Sequence, residues 1–241
     1  MLWRANSHGK SINAKNTGKP RCEMGCDWRI ARAKKQSGAT SIIRESDGIM
    51  SDESLLKKIK FLPLTTERWN DFEKLFGKNG ACGGCWCMFW RLPKAEYHAG
   101  SGDGNKQAMK SLVDTGGMPG IVAYDGERAV GWCTISPRAE YQRLLRARSL
   151  KLPYEETVWA VPCFFVLKEY RRKGVSVALL KNAVKYAKKQ GATAVEGYPS
   201  DPAKNQPDAF VYTGLTSAFR EAGFIEFKHP DAAKPVMRIE L

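Results

Sequence analysis

Histidine is scarce in these 241 residues: His8, His98 and His229 are the only three, and acidic side chains number 25 against 39 lysines and arginines. A cysteine nucleophile would therefore lack a sequence-near imidazole base. No apolar run is long enough to cross a bilayer, and the opening stretch MLWRANSHGKSINAKNTGKP lacks the apolar core of a secretory signal. These absences predict a cytoplasmic protein with no membrane partner. The seven cysteines are odd in number and have no secretory context, which argues for reduced thiols over a disulfide framework. No internal repeat is visible. What the chain has in excess is positive charge, formally +14. That suits a nucleic-acid binder, or an enzyme whose ligand carries several phosphates.

Charge and pattern meet in the stretch Thr157–Gln190, TVWAVPCFFVLKEYRRKGVSVALLKNAVKYAKKQ. The run Val158–Leu167 is too short for a membrane span and rich in β-favouring types, so it reads as a buried strand. Val175, Leu179, Ala183, Val184 and Ala187 then keep helical spacing, with Lys181, Lys185, Lys188 and Lys189 largely on the other side. Between them lies Arg171-Arg172-Lys173-Gly174-Val175-Ser176. A turn of this kind suits a phosphate. The first turn of a helix has unpaired N–H groups and a positive dipole end, and Gly174 lets a ligand approach the backbone. Ser176 can cap or donate, and the three cations add charge. The competing reading is a solvated basic loop.

Arg171-x-x-Gly174-x-Ser176, after an apolar strand ending in Val166 and before Ala178-Leu179-Leu180, resembles the acetyl-coenzyme A signature of the GNAT superfamily of N-acetyltransferases, Gln/Arg-x-x-Gly-x-Gly/Ala. Ser176 departs at the last place but is small enough to keep the turn. Ala218-Phe219-Arg220-Glu221-Ala222-Gly223-Phe224 resembles the family's final helix and its Gly-Phe exit, so the resemblance spans roughly Ile59–Leu241. It implies an α/β fold with a mixed, mostly antiparallel central sheet, a splayed parallel strand pair and flanking helices. It also implies acetyl-CoA as co-substrate, with no metal, and gives Pro162 a use. Proline cannot donate to a ladder, and the family's strand before the phosphate turn carries a bulge that opens a slot for the pantetheine arm. A bulge at or near Pro162 is expected, with the backbone groups of Phe165 and Val166 facing the cofactor. The resemblance assigns Phe165, Val166, Arg171, Arg172, Lys173, Gly174, Val175 and Ser176 to cofactor binding.

Elsewhere the chain divides into 1–49, a polar basic tail expected to be disordered, and 50–241, the acyltransferase-like domain; Met50-Ser51-Asp52 reads as a plausible translation start. Ile59–Leu64 predicts a strand, Trp69, Phe72, Leu75 and Phe76 a helical stripe, and Asn105–Val113 a helix. Asp125-Gly126 predicts a hairpin between Gly120–Tyr124 and Arg128–Ser136. Arg138–Leu150 is a basic insertion, Ala192–Tyr198 the next parallel strand and Ser200–Asp208 a polar loop. Phe210–Ala222 is the final helix region, and Gly223–Lys228 and Val236–Leu241 are the closing strands. In ACGGCWCMFWRL, Ala81–Leu92, the cysteines Cys82, Cys85 and Cys87 suggest zinc but lack a near fourth ligand. Packing of Trp86, Phe89 and Trp90 is the plainer reading. An acceptor wall, with aromatics flanked by Arg91 holding a flat or cationic substrate, is another. Cys22 and Cys26 have no second pair nearby.

The reaction so implied is attack of a primary amine, on a small molecule or a peptide, at a thioester, by a monomer or homodimer. Many family members carry a Tyr where this chain has Phe219, and often a Glu where it has Pro162. Tyr212, Tyr198 and Glu196 are the replacement candidates for catalysis, Glu196 because it ends a parallel strand. Cys163, flanked by Pro162 and Phe164, is a poor nucleophile. A non-catalytic acyl-CoA sensor and a nucleic-acid binder are the competing functions. Gly174→Asp is expected to abolish coenzyme A binding and leave the fold intact; wild-type affinity in that variant would remove the site assignment.

Overall fold

The computed structural model describes residues 52–147, 157–200, 211–228 and 235–241. The tail 1–49, all but the first residue of the loop Ser200–Asp208, and the end of the basic insertion lie outside these residues. A short helix not expected from the sequence, α1 (Asp52–Lys58), runs directly into β1 (Ile59–Pro63). A 3₁₀ turn at Thr66–Arg68 leads into α2 (Trp69–Phe76), whose stripe Trp69, Phe72, Leu75 and Phe76 is buried as its spacing predicts. After the ACGGCWC segment come α3 (Lys94–Ala99) and α4 (Asp103–Asp114). β2 (Gly120–Asp125) and β3 (Arg128–Thr134) form the hairpin, with Gly126 at φ 60° in the turn. β4 (Ser136–Pro137), a 3₁₀ turn and α5 (Gln142–Arg146) follow.

The run Val158–Leu167 is not one strand. It divides into β5 (Val158–Val161) and β6 (Phe164–Val166), and the two belong to different sheets. α6 (Val175–Lys189), β7 (Ala194–Gly197), α7 (Thr216–Glu221), β8 (Ile225–Lys228) and β9 (Val236–Glu240) complete the chain. The first sheet has the order β1-β2-β3-β6, antiparallel throughout. The second has the order β4-β5-β7-β9-β8, and only β5–β7 is parallel.

The register explains the division. Cys133 faces Phe164 across β3–β6, while Ser136 faces Ala160 across β4–β5, so the β5–β6 side carries one extra residue. That is a β-bulge, and it contains Pro162, whose missing N–H costs the ladder least there. Beyond the bulge, β6 stays with β3 and leaves β7.

The two faces of the first sheet read directly from strand alternation. Ile121 and Ala123 pack under α6 with Cys133, Val175, Leu179, Leu180 and Ala183. Val122, Tyr124 and Trp132 face α2, α4 and Trp86 on the other side. Gly131 lets the helix close on the sheet, since a Cβ there would meet Leu179 and Val175 at 3.3 and 3.4 Å. Each fully buried leucine of α6 stabilises the fold by about 1.5–3 kcal/mol relative to exposure.

On the second sheet, Phe219 of α7 is fully buried and sits edge-on to Phe164 and Phe224. A Cβ at Gly197 would lie 1.9 Å from its ring. Gly197→Ala is therefore expected to cost about 1–3 kcal/mol through overpacking. Chemical denaturation checks this, and a second change, Phe219→Leu, should return part of the loss. An unchanged midpoint in Gly197→Ala would contradict the contact.

Candidate active site

Beyond Val161 and Gly197 the parallel strands β5 and β7 have no further partners in each other. The chain after β7 is held instead by Val211–Leu215: the Ser200 N–H donates to the Gly214 carbonyl at 2.9 Å, and Ser200 bridges Leu215 in parallel. On the other arm, the Phe164 N–H donates to the Tyr212 carbonyl at 2.7 Å. The result is a fork with its base at Val161/Gly197, braced by the turn Val211–Gly214, which carries Tyr212.

Alternation decides which peptide groups of β6 face the fork. The Thr134 N–H donates to the Cys163 carbonyl and the Leu167 N–H to the Val130 carbonyl, both at 3.0 Å. Phe165, opposite Trp132 between them, therefore directs its N–H and C=O at β3. The expectation that Phe165 backbone groups face the opening is corrected: those of Phe164 and Val166 do. The Phe165 side chain instead joins Phe76 in a cleft of about 200 Å³ on the α2 side.

The basic turn follows at the end of β6. The Arg171 Nε–H donates to the Val166 carbonyl at 2.9 Å, tying the turn to the fork. Arg172 adopts φ 59°, and its side chain and that of Lys173 are exposed. Gly174 is the N-cap of α6 at φ 75°, ψ −2°, and supplies no side-chain cap. The first intrahelical bond is Ala178 N–H to Gly174 C=O, so the amides of Val175, Ser176 and Val177 precede it and face forward along the helix axis. Leu56 of α1 lies over Gly174, where a Cβ would meet its Cδ1 at 2.9 Å. The left-handed backbone and this contact correct one expectation: Gly174→Asp also carries a folding cost.

The three catalytic candidates separate. Glu196 is fully buried, with Arg138 Nη1 at 3.3 Å on one oxygen and Arg238 Nη1 at 3.4 Å on the other. The Tyr198 hydroxyl donates to Glu196 at 2.9 Å. Tyr198 is itself buried, and burial followed by the Glu196 charge pushes its phenol well up. Each is committed to the other, in a network with the buried Arg138 and Arg238. Tyr212 differs: it is 36% exposed, and it lies in a turn before α7 rather than on the helix. Burial, then the Cys163 and Cys85 thiols, push its pKa up to about 12. It is a proton donor at neutral pH, not a base.

Around Tyr212 stand residues of the ACGGCWC segment. Trp86, Cys87 and Met88 are buried, as the packing reading expects. Trp86 (φ 45°) and Cys87 (φ 55°) hold left-handed backbone that such side chains rarely adopt. Cys87 and Cys163 share a buried thiol contact at 3.3 Å, and Trp132 Nε1–H donates to Cys87 Sγ at 3.2 Å. The Cys163 thiol is pushed well up by the Cys87 contact and by burial, which suits a packed thiol and not a nucleophile. Among the described residues no group of three His, Cys, Asp or Glu side chains could hold a metal ion, and no helix is long and apolar enough to cross a membrane.

Two residues passed over by the sequence reading support the segment. Asn105 is fully buried and its amide donates to the carbonyls of Gly84, at 2.9 Å, and Tyr97, at 3.3 Å. Arg143 donates through Nε to the Leu92 carbonyl at 3.2 Å and stacks on Phe89 and Tyr97. Arg91, expected beside a substrate, is buried and spent on Ser136, Glu140 and the Pro119 carbonyl. No local pattern marks Asn105 or Arg143, because their partners lie in other segments.

A bulged strand splitting one parallel pair, followed by an uncapped basic helix start, is the frame of an acyl-coenzyme A transferase. The profile of the Acetyltransferase (GNAT) family matches residues 86–212, more than half of the chain. The chain belongs to that family. No curated protein matches it in sequence. Solved structures similar to it include the PaiA N-acetyltransferase of Thermoplasma acidophilum in complex with coenzyme A, at 13% identity and TM-score 0.45, covering 76% of this chain and 99% of that one. A GCN5-related N-acetyltransferase from Kribbella flavida has 16% identity and TM-score 0.46, with coverage of 77% and 99%. The ribosomal-protein-S5-alanine acetyltransferase of Vibrio fischeri has 13% identity and TM-score 0.45, with coverage of 76% and 93%.

Two tests follow from this geometry. Glu196→Gln removes the carboxylate shared by Arg138 and Arg238, of which Arg238 keeps Glu240 at 2.7 Å, and should cost about 1–3 kcal/mol of stability. A loss below about 1 kcal/mol would show the network to be dispensable. Tyr124, Tyr141 and Tyr212 are each raised to about 12 from an ordinary 10.0, with burial the first cause. Their contribution to stability is complete below pH 10 and is lost as the pH rises through about 12. Melting temperature followed across that range should fall, with phenolate absorbance in the native protein lagging behind that of the unfolded chain.

Proposed function

We propose that the protein transfers an acetyl group from acetyl-CoA to a primary amine by direct attack of the amine on the thioester. The observation that carries this reading is the fork: a strand pair parted by a bulge, with an uncapped helix start tied to one arm through Arg171 and the Val166 carbonyl. In this reading the diphosphate rests on the amides of Val175, Ser176 and Val177. Arg171, Arg172 and Lys173 supply charge, and Gly174 lets the backbone approach. The pantetheine arm lies along β6, where the Phe164 C=O and the Val166 N–H face the fork, the Phe164 N–H and Val166 C=O being bonded to Tyr212 and Arg171.

The chemistry asks three things of the chain. Negative charge developing on the thioester oxygen needs a donor, and the Val166 N–H faces the fork. The departing sulfur needs a proton, and Tyr212, protonated at neutral pH, supplies it. The amine needs to arrive uncharged, which a water chain can accomplish. Glu196 and Tyr198, first considered for proton transfer, take a structural role instead and hold the end of β7 beside Arg138 and Arg238.

Tyr212→Phe should lower kcat by roughly 10²–10⁴ and leave the KM for acetyl-CoA within a few-fold. Thiol release from acetyl-CoA with a panel of amines measures both. A kcat equal to wild type would remove Tyr212 from the mechanism. Acetyl-CoA bound without turnover of any amine would replace the enzyme with an acyl-CoA sensor.

A further inference from the structure

The wall beside Tyr212 carries its own cation. The Arg143 guanidinium lies 4.2 Å from the centre of the Phe89 ring and 5.0 Å from that of Tyr97. The Phe89 ring in turn meets Tyr212 edge-on, with centroids 6.2 Å apart. One face of Phe89, among the aromatics that the sequence offered to a cationic substrate, is thus already taken by a protein side chain. Arg143 is anchored at one end only: its Nε–H donates to the Leu92 carbonyl, and its backbone N–H to the Trp90 carbonyl. Its Nη2 is buried and has no hydrogen-bond partner, and it forms no ion pair with any described residue. A buried guanidinium N–H left unpaired carries a desolvation penalty that a ligand acceptor atom would remove. The Arg143 charge works against burial at the Tyr212 hydroxyl, lowering its pKa.

We infer that Arg143 sets acceptor specificity, and that the acceptor is a small amine carrying a carboxylate, an amino acid, whose carboxylate pairs with the free edge of this guanidinium while its amine faces the fork. The inference rests on the acetyltransferase reading above and narrows it. A planar guanidinium stacked on Phe89 and Tyr97 is rigid, so a carboxylate finds its donors already oriented. The same charge repels the second cation of a polyamine or of a lysine side chain in a basic peptide. Phe89 and Tyr97 offer the acceptor's side chain an apolar flank.

The test compares methionine, phenylalanine and leucine with their carboxamides and with spermidine, scored by thiol release from acetyl-CoA. The amino acids should be acetylated with kcat/KM about tenfold to a hundredfold above the amides, mostly through KM. Spermidine should be poor. In Arg143→Gln the preference for acid over amide should collapse towards one, and Arg143→Lys should restore part of it. Amides or spermidine used as well as the acids, or an acid preference that survives Arg143→Gln, would overturn the inference. Calorimetry separates its failure from that of the broader reading. A wild-type protein that does not bind acetyl-CoA defeats both. One that binds acetyl-CoA, yet neither acetylates the three amino acids nor binds them in its coenzyme A complex, defeats this inference alone.

Discussion

A single missing N–H organises the catalytic half of this molecule. Pro162 cannot donate to a neighbouring strand, and the ladder accommodates it by slipping one residue between the β3–β6 and β4–β5 registers. The slip sends β5 to β7 and β6 to β3. Two arms that would otherwise be zipped together part, and the peptide groups of Phe164 and Val166 turn to the gap. The helix that follows begins at the far end of the same arm. One local defect in pairing therefore sets both the gap between the strands and the position of the uncapped α6 start.

The fork is held open from both sides by packing. Phe219 fills the space left by Gly197 and presses on Phe164, so the base is a packed aromatic junction. Tyr212 braces the bulge through its carbonyl while its phenol stays beside the Cys163 and Cys85 thiols. Across β7 the buried Glu196 is neutralised by Arg138 and Arg238, a network in which every charge has a partner. Such networks stabilise only when complete. Arg143 differs from them in kind. It is a stacked guanidinium whose buried Nη2 has no hydrogen-bond partner.

The ACGGCWC segment joins these parts. Its glycines and left-handed Trp86 and Cys87 fold it back so that Trp86 fills the α2 side of the sheet while Cys87 touches Cys163 in the bulge. Asn105 pins it from α4. Its cysteines are spread over exposed (Cys82), half-buried (Cys85) and buried (Cys87) positions.

Much of this was legible in the chain. Hydrophobic period located α2, α4, α6 and most strands, Asp125-Gly126 located the hairpin, and Pro162 with the Arg171–Ser176 turn located the fork and the anion site. These are local signals, because backbone sterics and pattern act within a few residues. Less legible were the true length of the last helix, which shrinks to Thr216–Glu221 because Val211–Gly214 forms a turn bonded to Phe164 and Ser200, and the direction of the Phe165 peptide, which depends on a register with β3. The commitment of Glu196 to two arginines, the stacking of Arg143 on Phe89 and Tyr97, and the meeting of Cys87 with Cys163 were invisible in sequence. The sequence alone determined that this chain builds an acyl-CoA frame. Only the tertiary structure decided which side chains are free to act on a substrate, because a side chain's freedom is set by partners that lie tens of residues away.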